Sequence, residues 1–139
     1  QLEKSAKLNE WVATIDLPRS NERVKAGTEC SVAGWGSTRT EYLLFPDTLQ
    51  EVDVVVMPDA KCPKDSYGPY IDYNNSTMMC VGDPFQCNDS AEGDSGGPLV
   101  CGETAQGIVS WGPCRGPGVY TRVSTFRDWI DEMMGKLRP

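Results

Sequence analysis

Short stretches of alternating apolar and polar residues, separated by turns, fill most of the 139-residue chain. Each stretch has the length and β-branched content of a strand, and turn residues bound it on both sides. Six strands at such spacing predict an all-β domain, either a closed barrel or a sandwich. The predicted strands are 29–36, 49–57, 78–82, 97–102, 105–112 and 118–123.

The period of the apolar residues changes after residue 123. Apolar side chains then recur three and four positions apart, which predicts an amphipathic helix with Ser124 or Thr125 as its N-cap and Gly135 as its stop. We expect this apolar stripe to pack on the β-domain rather than bind a partner. It consists of Phe126, Trp129, Ile130, Met133 and Met134.

Composition and charge exclude several functions. The longest apolar runs are only a few residues, so the sequence predicts no membrane-spanning helix and no membrane partner. The polar start "QLEKSAKLNEW" is not a signal peptide, from which we expect a preceding segment that was removed or lies elsewhere. A net charge of −7 argues against nucleic-acid binding and weakly favours basic partners.

The six cysteines indicate an oxidising compartment. There is no C-x-x-C pair and no histidine in the chain, which disfavours a zinc site, and we predict no metal and no cofactor. Three disulfides are favoured over free core thiols. Two overlapping N-x-S/T sequons, at Asn74 and Asn75, fit a secreted glycoprotein.

The stretch "AEGDSGGPLV", residues 91–100, surrounds Ser95 with an acid and three glycines. Glycines permit positive φ and let backbone N–H groups approach a substrate carbonyl, as an oxyanion hole requires. A short glycine-rich match of this kind is also compatible with an ordinary turn. Serine needs a general base to act as a nucleophile at neutral pH, and this chain contains no histidine.

Longer motifs are far more specific. "CSVAGWGST", "GDSGGPLVC", "GIVSWG" and "GPGVYTRVSTFRDWI" together resemble the C-terminal half of a chymotrypsin- or trypsin-like serine protease. The resemblance covers essentially the whole chain and implies a six-stranded antiparallel Greek-key barrel, the second barrel of that fold, followed by a C-terminal helix. It implies an interdomain strap at 1–28, the barrel at 29–123 and the helix at 124–139.

The resemblance also implies roles for the residues around the serine. Ser95 matches the nucleophile, the amides of Gly93 and Ser95 match the oxyanion hole, and Asp94 matches the carboxylate that pairs with the new α-amine of an activated zymogen. The histidine and aspartate of the triad lie in the first barrel of the family. We therefore expect them on an N-terminal half, joined covalently or present as a second chain.

The primary specificity pocket is implied in the same way. Asp89 matches the pocket base, where a carboxylate selects Lys or Arg, and Ser90 beside it adds an acceptor. Ser110, Trp111 and Gly112 resemble the strand that pairs with the substrate backbone. Gly112 and Gly118 match the pocket walls. Glu92 is expected to be a solvent-facing acid.

For the disulfides, the resemblance implies Cys30–Cys101 and Cys62–Cys80, with a third bond between Cys87 and Cys114. The family usually carries a cysteine where Ala91 stands, so we expect the third bond to hold the pocket from a different position along the chain. A glycan on Asn88, a formal sequon, would block the pocket, and we expect that residue to be unmodified.

The sequence thus predicts a secreted serine endopeptidase half, with peptide or protein substrates and protein inhibitors as partners. "MMCVGDP" resembles granzymes and chymases, which adds storage in secretory granules to the expectation. Two alternatives stay open. One is a non-catalytic homologue acting as a binding or scaffold protein, and the other is a processed fragment with neither role.

Overall fold

The computed structural model describes residues 1–38, 44–62, 68–82, 92–113 and 116–138. Six strands form where the alternating segments predict them: β1 (Glu29–Gly34), β2 (Gln50–Val55), β3 (Met78–Val81), β4 (Pro98–Cys101), β5 (Thr104–Trp111) and β6 (Gly118–Arg122). Short 3-10 helices lie at Asp59–Lys61 and Val123–Phe126, and the α-helix, α1, spans Arg127–Lys136.

All strand pairs are antiparallel and follow the order β2-β1-β4-β5-β6-β3 in one curled sheet. The two edge strands meet through a bridge between Val56 and Val81. The N–H of Met57 donates to the Cys80 carbonyl (3.0 Å), and the N–H of Gly82 donates to the Val55 carbonyl (2.9 Å). Because β2 and β3 meet, the strands β4, β1, β2 and β3 are consecutive neighbours around the barrel. This is the spatial order of a Greek key. The predicted Greek-key barrel is confirmed, and the sandwich alternative is excluded.

Alternation along the strands builds the core. Inward-facing residues of all six strands form one buried cluster that includes Val32, Val54, Leu99, Val109 and Tyr120. β3 and β6 are buried on both faces, because the 68–73 segment covers their outer side with Tyr70 and Tyr73 against Cys80 and Val119. This second layer fixes the start of β6 at Gly118, a residue of the predicted pocket wall.

Two disulfides connect elements that are distant in sequence. Cys30 is bonded to Cys101 and joins β1 to β4, and Cys62 is bonded to Cys80 and closes the covering segment onto β3. Both pairings are those that the sequence led us to expect. Cys87 and Cys114 lie outside the described residues.

The predicted ends of the C-terminal helix were wrong. The Val123–Phe126 3-10 helix precedes α1, Phe126 occupies the N-cap without a side-chain hydrogen bond, and Gly135 lies inside the helix. Of the two proposed caps, Thr125 is engaged elsewhere, since its Oγ1 donates to the Ser76 carbonyl (2.7 Å), and the backbone carbonyl of Ser124 accepts from the N–H of Asn21 (3.0 Å). Tertiary contacts therefore decide where this helix starts.

The stripe of α1 is also less buried than expected. No residue of the helix is fully buried, and Trp129 is 60% exposed. α1 is instead attached at its first turn, where Arg127 Nη1 donates to the Pro18 carbonyl (2.9 Å). No helix within the described ranges is long and apolar enough to span a bilayer.

Residues 1–28 run over the barrel surface before β1. Asp16 forms a bridge with Thr104, its carbonyl accepts from the N–H of Ala105 (2.9 Å), and Pro18 is buried. Most of the remaining residues of this segment are exposed.

Candidate active site

The residues around Ser95 form a tight turn in front of β4. Gly93 (φ 99°) and Gly96 (φ 88°) occupy the left-handed region, which costs glycine little and other residues much more. The N–H of Gly97 donates to the Asp94 carbonyl (3.0 Å) and closes the turn. Ser95, an exposed residue, lies between these glycines.

The turn is fixed to strand β5 by two backbone hydrogen bonds. The N–H of Gly96 donates to the Val109 carbonyl (2.8 Å), and the N–H of Val109 donates to the Gly97 carbonyl (2.9 Å). Ser110 and Trp111 follow Val109 directly on that strand. The sequence-predicted nucleophile and the sequence-predicted substrate-binding strand are therefore neighbours in the fold.

Asp94 is half-buried and lies against the end of β1. Its Oδ1 accepts a hydrogen bond from the N–H of Gly36 at 2.7 Å. A Cβ placed on Gly34 or Gly36 would overlap the Asp94 carboxylate. The two glycines of "AGWGS" thus make room for a carboxylate that lies 58 residues further along the chain.

Gly93 is restricted by its neighbours as well as by its backbone conformation. A Cβ on this residue would lie 3.2 Å from the Cα of Gly36 and 3.1 Å from Cε1 of Phe45. The preceding residue, Glu92, is exposed, and its carbonyl accepts from the N–H of Ser37 (2.8 Å). The turn and the chain that follows β1 therefore support each other.

The ends of β5 and β6 form the other part of the site. A Cβ on Gly112 would lie 3.2 Å from the Cα of Gly118, so the two backbones approach as closely as glycine allows. Gly118 is buried, Trp111 is half-buried, and Ser110 and Gly112 are exposed. These four residues are the described part of the predicted pocket and substrate strand.

Tyr70 supports this wall from the covering segment. Its buried hydroxyl donates to the Pro117 carbonyl (2.8 Å), and its ring centroid lies 5.9 Å from that of Trp111. Sequence reasoning missed Tyr70, because nothing local links it to a residue 47 positions away. It also missed the contact of Gly34 and Gly36 with Asp94, although two glycines flanking an exposed tryptophan at a strand end are a usable signal.

Several predicted site residues fall outside the described ranges. These are Asp89 and Ser90 of the predicted pocket base, Ala91, the sequon residue Asn88, and the cysteines Cys87 and Cys114. The described residues contain no cluster of three side chains suited to hold a metal ion.

Comparisons with known proteins fit this geometry. The trypsin family model matches residues 1–130. Mast cell protease 3 of Ovis aries is 48% identical over 136 residues, which cover 96% of this chain and 52% of that protein. Granzyme H of Homo sapiens is 45% identical over 139 residues, which cover 99% of this chain and 54% of that protein.

Solved structures agree with the sequence comparisons. A double mutant of human heparin binding protein (CAP37) superposes with a TM-score of 0.81 at 36% identity, covering 100% of this chain and 57% of that one. The chain spans about half the length of the relatives it matches. With the barrel, the turn and these matches in agreement, the chain belongs to the trypsin family of serine proteases.

Proposed function

We propose that this chain is the half of a trypsin-like serine endopeptidase that supplies the nucleophile, the oxyanion hole and the primary pocket. Ser95 is the nucleophile, and the amides of Gly93 and Ser95 form the oxyanion hole. The observation that carries the proposal is the 93–97 turn, which exposes Ser95, positions two left-handed glycines and draws Asp94 inward to Gly36.

The chemistry follows from these positions. Ser95 Oγ attacks the peptide carbonyl carbon while a general base removes its proton. The resulting oxyanion accepts hydrogen bonds from the N–H groups of Gly93 and Ser95. The base then returns the proton to the leaving amine as the C–N bond breaks, and water hydrolyses the acyl-enzyme in a second round. Each oxyanion donor contributes about 3 kcal/mol of transition-state stabilisation.

The general base belongs to another segment in this proposal. The chain contains no histidine and spans about half the length of its relatives. The other half, covalently joined or a second chain, supplies histidine and aspartate. Its newly formed N-terminal α-amine pairs with Asp94, which converts the inactive zymogen to the active enzyme. Residues 1–28 act as the strap between halves, 29–123 as the catalytic barrel and 124–139 as the C-terminal helix.

Cleavage after Lys or Arg is the specificity we propose. Asp89 at the pocket base would bind the cationic side chain, with Ser90 as a further acceptor. Small walls at Gly112 and Gly118 admit a long side chain, and Ser110 to Gly112 pair with the substrate backbone. Ala91 replaces a cysteine that the family usually has, so the usual pocket disulfide cannot form. A Cys87–Cys114 bond would take over its role.

The place of action proposed is outside the cell or within secretory granules. Disulfides persist in oxidising compartments, and two join elements of this barrel. The relatives include a mast cell protease and a granzyme. Peptide or protein substrates and protein inhibitors are the partners this implies.

A non-catalytic binding or scaffold protein is the second candidate. It is favoured by a similar chain whose name is that of a heparin binding protein. The net charge of −7 disfavours a polyanion as the ligand here, so this candidate would take a basic or neutral partner.

Fluorophosphonate labelling of the complete protein separates the two candidates. The enzyme is labelled at Ser95, loses labelling in Ser95→Ala and keeps it in Ser20→Ala, a matched exposed serine of the strap. Arg-containing peptides are then compared with Phe-containing ones. Absence of labelling overturns the enzyme in favour of the scaffold, whereas labelling with a preference for Phe overturns only the role of Asp89.

A further inference from the structure

We propose that Asn75 is an N-glycosylation site and that the overlapping sequon at Asn74 is not used. The proposal rests on the secretory route of the proposed function, but its site, chemistry and test are independent of peptidase activity. The two sequons share the sequence "NNST", residues 74–77, between the covering segment and β3.

The loop is accessible and compact. Asn74, Asn75 and Ser76 are all exposed. The N–H groups of Thr77 (3.2 Å) and Met78 (2.8 Å) both donate to the Asn74 carbonyl, which makes 74–78 a single reverse turn. N-linked glycans are found on exposed loops of this kind in secreted proteins.

Local hydrogen bonds distinguish the two asparagines. Asn74 Oδ1 accepts from the N–H of Ser76 (3.0 Å) and from Ser76 Oγ (2.7 Å), so the hydroxyl that defines the first sequon is engaged by its own asparagine. These bonds span two residues and form without the rest of the fold. Within the described residues, the side chains of Asn75 and Thr77 make no hydrogen bond. The second sequon therefore presents both of its defining groups.

Long-range contacts hold the Asn75 backbone without covering the residue. Its carbonyl accepts from Arg23 Nη1 (2.8 Å) and from Arg122 Nε (3.1 Å). Arg122 is 47 residues further along the chain, and Thr125, which donates to the Ser76 carbonyl, is 49 residues away from Ser76. The contacts from Arg122 and Thr125 form only after β6 has emerged, so a glycosyltransferase meets the loop before these two contacts are in place.

The acceptor reaction needs only a lipid-diphosphate-linked oligosaccharide and its transferase. The amide nitrogen of Asn75 forms a bond to C1 of the sugar, the C1–O bond to the diphosphate breaks, and the amide gives up one proton. No oxidation or reduction takes place.

The fold directs this glycan away from the candidate site. β3 and β6 pair with Val81 opposite Gly118 and Met78 opposite Thr121, and the N–H of Arg122 donates to the Thr77 carbonyl. The sequon loop is therefore at the opposite end of this strand pair from the pocket wall at Gly118, about 10 Å further along. A glycan on Asn75 therefore leaves the candidate active site accessible to substrate.

The test uses the complete protein secreted from cultured animal cells behind a secretory leader. Release of the glycan by peptide-N-glycosidase in heavy-oxygen water converts a modified asparagine to isotopically labelled aspartate, which mass spectrometry locates. We expect label at position 75 alone. Thr77→Ala removes this sequon and should lower occupancy more than tenfold, while Thr77→Ser and Ser76→Ala keep it and should retain occupancy.

Label at position 74, an unmodified protein, or occupancy that survives Thr77→Ala would each overturn the assignment. Peptide hydrolysis is measured on the same samples before and after glycan release, and we expect no change in kcat/KM. An inactive protein that carries the glycan on Asn75 contradicts only the proposed function. An active protein without it contradicts only the glycosylation site.

Discussion

Gly36 is a single residue on which the geometry of the candidate site depends. The Asp94 carboxylate occupies the volume into which a side chain at position 36 would extend, and the Gly36 amide donates to it at 2.7 Å. Because Gly93 also lies against Gly36, crowding at this position reaches both residues that directly precede Ser95. The geometry of the turn therefore depends on a residue that carries no chemistry of its own.

We expect Gly36→Ala to lower the free energy of unfolding of the complete protein by about 1–3 kcal/mol, the usual cost of overpacking. Urea denaturation measures this change. Gly135→Ala is the matched control, since nothing lies within 4 Å of its added methyl and a helical site favours alanine by up to about 1 kcal/mol. Equal stability of both variants would contradict the crowding at Gly36.

Tyr73 provides a prediction about pH. Its pKa is raised from 10.0 to about 12, first by burial and then by its hydrogen bond to Asp59 Oδ1 (3.0 Å). Since the folded-state pKa lies above that of the unfolded chain, the protonated phenol contributes stability that is complete below pH 10. That stability is lost as the pH rises from 10 toward 12, by about 2–3 kcal/mol.

Unfolding measured between pH 9 and 12 tests this contribution. The wild-type protein should lose stability more steeply than Tyr73→Phe, which has no ionisable group at this position. Indistinguishable slopes for the two proteins would mean that the phenol titrates normally in the fold.

The strands and the helix differ in how well the sequence predicts them. β1 and β2 lie within the predicted segments because their inward side chains repeat every second residue, a local property. The start of α1 is less local, because the Thr125 hydroxyl, a possible cap, donates to the Ser76 carbonyl of another segment. The turn around Ser95 was predictable from its motif, whereas the Asp94–Gly36 contact, which spans 58 residues, was not.

Arg127 and Lys136 allow the attachment of α1 to be tested. Both form exposed ion pairs within the helix, with Asp131 and Glu132, but Arg127 Nη1 also donates to the backbone carbonyls of Leu17 and Pro18. We expect Arg127→Ala to cost about 1–2 kcal/mol and to speed amide hydrogen exchange in the 15–21 segment.

Lys136→Ala is the matched control and should cost less than about 0.5 kcal/mol, the usual contribution of a surface pair. It should leave exchange in the 15–21 segment unchanged. If the two substitutions have the same effect on that segment, Arg127 does not hold the strap against the helix.

At the scale of the whole molecule, the described residues expose large apolar side chains in the strap and in the C-terminal region as well as on the barrel. In the strap, Trp11 is 85% exposed, and in the C-terminal region Trp129 is accompanied by Met134 and Leu137, both about half exposed. We infer that these side chains contact a partner, the role of apolar surface where it is contiguous. In the proposed enzyme this partner is the half that supplies the histidine, so folding and catalysis depend on the same association.

This dependence leads to the last prediction. The chain alone should hydrolyse Arg-containing peptides about a millionfold more slowly than the complete protein, because loss of the triad histidine costs about that much in kcat. Adding the separately produced N-terminal half should restore activity and quench or shift Trp fluorescence at matching concentrations. Restored activity should be abolished by Ser95→Ala, whereas activity of the chain alone would show that its base lies within these 139 residues.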